Sequence, residues 1–70
     1  MLKLFDNVAL LNPHPELGLV RGQVGTVVEV HRGGEAFEVE FSGAQGETYA
    51  VAAFKSSDLL LLVHESHAAA

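Results

Sequence analysis

The sequence predicts an all-β fold, a small five-stranded antiparallel barrel with a short 3₁₀ turn before its last strand. Three observations carry that prediction. Seven glycines cut 70 residues into short blocks, the punctuation of strands and turns. The stretch Val24-Gly25-Thr26-Val27-Val28-Glu29-Val30-His31 is dense in β-branched residues, which suit a pleated surface. From Ala36 to Phe41 the chain alternates strictly, with Phe37, Val39 and Phe41 facing one way and Ala36, Glu38 and Glu40 the other, as in a strand with one face in water.

Taken in order, the first strand falls within Phe5 to Leu11, where Val8, Leu10 and Leu11 stand among small or polar neighbours. It ends at Asn12-Pro13. The segment Asn12-Pro13-His14-Pro15-Glu16 reads as a non-helical loop with polyproline character, because each proline biases its predecessor toward an extended backbone. Leu17 to Gln23 is a turn-rich approach to the second strand. There Val24, Thr26, Val28 and Val30 share one face, and Gly25, Val27, Glu29 and His31 the other. Glycine inside a strand costs stability and marks a bulge, a sharp bend or a close backbone approach, so Gly25 is a point of curvature.

Arg32-Gly33-Gly34-Glu35 reads as a hairpin turn, since paired glycines supply the positive φ angles such turns need. Ser42 to Gly46 makes a second turn after the third strand. Extended character resumes from Glu47 to Phe54, with Tyr49 and Val51 opposite Thr48, Ala50 and Ala52. Lys55-Ser56-Ser57-Asp58 is too short for a stable helix and suits one 3₁₀ turn, capped by Ser56 or Ser57. Leu59 to Val63 forms the last strand; leucine also favours helix, but the run is bounded by a turn and a polar tail and is too short for one. Residues 1–63 thus read as one domain of the SH3-like barrel kind, and 64–70 as a frayed tail.

Composition bounds the function. An apolar content of 49% excludes the disordered class. A domain this short buries only about 60% of the surface its unfolded chain exposes, so its stability is expected to be marginal. Cysteine is absent, which removes disulfides, thiolate nucleophiles and thiolate metal ligands. Four Lys+Arg against nine Asp+Glu give a net charge of -5, which opposes a nucleic-acid backbone over most of the surface. The apolar runs are too short to span a bilayer, and Met1-Leu2-Lys3-Leu4-Phe5-Asp6 lacks a signal-peptide pattern, so a cytoplasmic protein without membrane contact is expected.

Val8-Ala9-Leu10, Gly18-Leu19, Gly22-Gln23-Val24-Gly25-Thr26-Val27-Val28-Glu29-Val30 and Phe37-Glu38-Val39-Glu40-Phe41 together resemble a family of short bacterial proteins known only as a domain of unknown function. The resemblance runs from about Leu4 to Val63. Its most specific part is Gly-x-x-Gly-Thr-Val-Val-Glu-Val followed at hairpin distance by Glu-Val-Glu-Phe. More loosely, the Gly-rich turn entering a Val-rich strand is similar to the KOW motif of ribosomal proteins and elongation factors, which implies an SH3-like barrel. KOW modules that bind RNA place Lys or Arg around this turn; here Arg21 and Arg32 flank it. The resemblance supplies no catalytic residues. It implies a partner of another small protein, as in toxin–antitoxin pairs, or an accessory subunit of a larger complex.

Candidate sites follow from the strand faces. Glu29, Glu38 and Glu40, with Glu47 near, form an outward acidic face, which either docks a basic partner or finishes a solvated sheet. His64 and His67 flank Glu65, while His14 and His31 have no partner in spacing; exposed histidines are expected, and no metal site. Gly18, Gly22 and Gly25 feed a strand rather than a helix, so they are turn geometry and not a phosphate loop. Apolar residues crowd both faces: Leu59, Leu61 and Val63 can face a core while Leu60 and Leu62 point away, Val27 shares a face with Glu29, and Leu11 with Ala9. Either Leu2-Lys3-Leu4-Phe5 covers them or they form a protein interface.

The expected function is therefore a non-catalytic protein–protein interaction module without cofactor. Leu60 and Leu62 are its apolar anchors, and Glu38 and Glu40 its acidic rim. The partner is another protein or a second copy. The alternatives are KOW-like RNA binding through Arg21 and Arg32 and the Leu17–Gly25 loop, or service as an accessory subunit of an enzyme complex.

Overall fold

The computed structural model describes residues 2–43 and 45–63. It contains five strands, β1 (Asn7–Leu10), β2 (Val24–His31), β3 (Ala36–Ser42), β4 (Thr48–Lys55) and β5 (Leu59–Leu61), with 3₁₀ turns at Pro15–Leu17 and Ser56–Asp58. All the strand pairs are antiparallel in one sheet of order β4-β3-β2-β1-β5. The predicted all-β class and the 3₁₀ turn before the last strand are both present. Among the described residues no ladder joins β4 to β5, so these strands are the two edges. The ends of the sheet still share one core, since Phe54 of β4 and Leu59 of β5 belong to the same buried cluster.

That cluster is built from Val8, Leu10, Leu19, Val27, Phe37, Val39, Phe41, Phe54 and Leu59, with Leu2, Ala50 and Ala52 packed against it. Strand β3 sends Phe37, Val39 and Phe41 inward as its alternation requires. Phe41 meets Phe54 edge to face, with ring centroids 5.9 Å apart.

In β2 the valine-rich face is not the core face. Val24 and Val30 are exposed, whereas Gly25 and Val27 are buried. The cause is backbone proximity. A Cβ on Gly25 would lie 2.6 Å from Val39 Cγ1 and 2.8 Å from the Glu40 carbonyl oxygen, so β3 crosses where only a hydrogen fits. A bulge between Val27 and Glu29 then separates these two residues, which were expected to share a face. Val27 enters the core and Glu29 stays in water.

The proline loop also departs from expectation. Pro15–Leu17 is a 3₁₀ turn, not an extended loop, with Pro15 in the first turn, where its missing N–H breaks no bond. The Leu17 N–H donates to the His14 carbonyl at 2.9 Å, and His14 and Leu19 exchange backbone bonds at 3.0 and 3.1 Å. This closure inserts Leu19 into the core, a role its turn-rich surroundings concealed. The second 3₁₀ turn has no side-chain cap; Lys55 occupies the cap position, and neither Ser56 nor Ser57 caps it. At the C-terminal end Leu59 is buried; Leu61, paired with the fully buried Val8, keeps the inward side of the sheet but is left 38% exposed at its edge, and Val63, past the end of β5, is exposed. The predicted tail with His64 and His67 lies outside the described residues. No helix of the described residues is long and apolar enough to cross a membrane.

Candidate functional site

Directly paired residues of neighbouring strands share a face, so the ladders show what the outward surface carries. Ala9 of β1 lies opposite both Val24 of β2 and Leu60 of β5. This makes an outward apolar row, Leu60–Ala9–Val24, whose outer members are each about half exposed, at 51% and 53%. Ala9 itself is buried beneath them. The next row begins at Leu62, half-buried just past β5, whose N–H donates to the Asn7 carbonyl at 2.9 Å. Asn7 pairs with Thr26, and Thr26 with Glu40. The Thr26 hydroxyl donates to Asn7 Oδ1 at 3.1 Å, tying the middle of this row.

The anchors Leu60 and Leu62 and the acids Glu38 and Glu40 therefore lie on one sheet face but not side by side. Strands β1 and β2 intervene, which puts the groups about 14 Å apart along the sheet. The acids are also engaged. Glu38 stands opposite Glu29, and His31 Nε2 meets its carboxylate at 2.9 Å, which offsets the repulsion of like charges on paired strands. Glu40 accepts a 2.7 Å hydrogen bond from the Thr48 hydroxyl. Glu47 folds back to accept from the Gln45 N–H.

Sequence reasoning missed Phe5. The Leu2–Phe5 segment was a candidate cover for the apolar face, but only Leu2 packs on the core. Phe5 is 75% exposed with φ at +70°, a backbone region that bulky side chains rarely adopt. Its N–H donates to the Val27 carbonyl at 2.7 Å, which fixes the bend. Phe5, Leu61, Leu62 and Val63 line one small cleft beside the apolar row. The signal for it in the sequence was an aromatic residue directly before the polar pair Asp6-Asn7.

A second cluster joins segments far apart in sequence. Asp58 accepts from Asn12 Nδ2 at 2.8 Å and meets His14 Nε2 at 2.6 Å, while His14 Nδ1 lies 3.5 Å from Glu16. The ring packs edge-on against Phe54 at 4.9 Å. His14 is thus partly buried and paired, not a free exposed histidine. The hydrogen bond to the Asp58 carboxylate, aided by Glu16, raises its pKa above the ordinary 6.5, against the pull of partial burial. With both ring nitrogens facing carboxylates, this arrangement clamps the β1–β2 loop to the second 3₁₀ turn. Because the folded pKa is raised, the clamp's stabilisation is full below the ordinary value and is lost as pH rises through the raised one. Between about pH 5.5 and about pH 8.5 the wild type is expected to lose thermal stability more steeply than His14→Gln. Parallel melting curves for the two proteins would refute this. Among the described residues no group of three His, Cys, Asp or Glu side chains is placed to hold a metal ion.

A family model described as a domain of unknown function, DUF4926, matches residues 4–61. The chain belongs to this family. No curated protein and no solved structure matches it. The match begins at Leu4, where the resemblance in the strand motifs began, and stops two residues short of Val63. Within this DUF4926 domain, Arg21 and Arg32 lie beyond opposite ends of β2, a strand about 23 Å long. They do not make one basic patch.

Proposed function

We propose that this DUF4926 domain is a non-catalytic docking module that binds another protein through the outward face of its sheet, in the manner of an antitoxin-like or accessory partner. The observation that carries this reading is the half-exposed row Leu60–Ala9–Val24 beside the projecting Phe5. A chain of 70 residues with marginal stability gains nothing from apolar surface in water, and such a row with acids further along the same face has the make-up of an interface core and rim. The element order, with a 3₁₀ turn between the fourth and fifth strands, supports an SH3-like barrel as the finer description. The charge of -5 and the separation of Arg21 from Arg32 favour a protein partner over RNA. A cytoplasmic setting goes with this reading.

The test is affinity capture of tagged wild type and of Leu60→Ala/Leu62→Ala from native lysate near physiological salt, with and without nuclease. A stoichiometric protein that survives nuclease and is released by the double variant is the expected result. The loss of two anchors should weaken binding about tenfold or more. If capture and native mass are unchanged in the variant, these residues are not the contact. Recovery of RNA alone, weakened by salt and by Arg21→Gln, would replace this reading with the KOW-like one.

A further inference from the structure

A cleft of about 840 Å³ opens where the β2–β3 turn meets the corner between β4 and the second 3₁₀ turn. Its floor follows from the ladder. Ala36 of β3 stands between His31 of β2 and Lys55 of β4, so a methyl group is flanked by two long polar side chains. Ala53 extends the floor, and Arg32, Ser56 and Ser57 complete the walls.

The charges are unevenly placed. Of the four cationic Lys and Arg side chains, Lys3 pairs with Asp6. Arg21, Arg32 and Lys55 make no ion pair among the described residues, and two of these three, Arg32 and Lys55, line this one cleft of an otherwise acidic protein. The acid on the rim, Glu35, pairs with neither. His31 is oriented by its 2.9 Å contact with Glu38. Arg32 also has φ at +54°, a conformation that suits Gly or Asn, and two backbone bonds from Gly34 and Glu35 to the His31 carbonyl hold the turn. A long cation is thus kept where the backbone disfavours it, an outlier of the kind that accompanies function.

We propose that this cleft binds an oxyanion, a phosphate or carboxylate group of a ligand, through Arg32 and Lys55 with the hydroxyls of Ser56 and Ser57. Arg presents a planar fork that matches such a group, and Lys a point charge from the facing wall. The site lies beyond the end of β2 opposite Val24, away from the row Leu60–Ala9–Val24, so it is tested separately from those anchors, although the rim acid Glu38 stands beside it opposite Ala53.

Two-dimensional amide NMR of the intact protein tests it, with titration of inorganic phosphate and, separately, of a blocked peptide rich in Asp and Glu, each at constant ionic strength. Saturable shifts confined to residues 31–36 and 53–57 are expected. Saturation by phosphate alone identifies a phosphate ligand, and saturation by the peptide alone a carboxylate one. Lys55→Gln and Arg32→Asn, the latter chosen because Asn tolerates the left-handed turn, should each weaken binding about tenfold, with Arg21→Gln unchanged. If Arg32→Asn unfolds, Lys55→Gln decides alone. Non-saturating shifts with both probes, or binding that persists in Lys55→Gln, would overturn the proposal.

Discussion

Phe41→Ala is expected to leave most of the chain unfolded at room temperature. Phe41 is fully buried on the inward face near the end of β3 and packs edge-on against Phe54, whose ladder partner is Phe37, so this contact crosses the core and not a β3–β4 pair. Truncating a buried phenylalanine costs about 3–5 kcal/mol, lost transfer free energy plus the cavity left behind. A core this small rarely supplies more than about 3–5 kcal/mol in total. The two quantities are of the same size, so the folded state has almost no margin left. Far-ultraviolet circular dichroism and amide dispersion should both report the loss. Phe41→Leu, which refills most of the volume, should stay folded with a lowered Tm. Val24→Ala, on the exposed face, should change stability by about 0.5 kcal/mol or less. A cooperative, native-like melt for Phe41→Ala would show that the core is not organised around this ring.

Gly25→Ala should be nearly as damaging, though it adds only one methyl group. Overpacking costs about 1–3 kcal/mol when neighbours can adjust. Here one obstacle, 2.8 Å from the new atom, is the carbonyl of Glu40. That backbone belongs to β3, which is paired on both sides and cannot retreat without disturbing two ladders. Val39 Cγ1 and Phe41 Cδ1 close the remaining space. The Tm should fall by about 10–20 °C, since 1 kcal/mol shifts a domain of this size by about 4–8 °C. Gly22→Ala separates this steric effect from backbone strain. Gly22 has φ at +88° with nothing within 4 Å of a built Cβ, so it should lose only the about 1 kcal/mol of a left-handed alanine. Equal losses in the two variants would mean that conformation, and not the closeness of β3, governs both.

Much of the fold was legible because its determinants are local. The alternation of Phe37, Val39 and Phe41 against Glu38 and Glu40 specifies both a strand and its inward face. Arg32-Gly33-Gly34-Glu35 contains the residues a tight reversal needs, and three of the four adopt positive φ. Between Lys55 and Leu59 there is room for one 3₁₀ turn and no more. Of the candidate site, the outward direction of Leu60, Glu38 and Glu40 followed from the same period of two.

Only the tertiary structure decided the rest, because it depends on which strands pass close to one another. Which face of β2 is buried was left open by its pattern of valines on both sides; the close passage of β3 at Gly25 and the bulge after Val27 set which side faces the core. Leu19 became core, and His14 a clamp on Asp58, through closures spanning a loop and 44 residues, distances over which no sequence period acts. Leu60, Ala9 and Val24 form one row through ladder register alone, and the same register sets His31, Ala36 and Lys55 across one cleft. Residue order determines what each strand can present; pairing register determines what stands beside it, and a binding surface is made of neighbours.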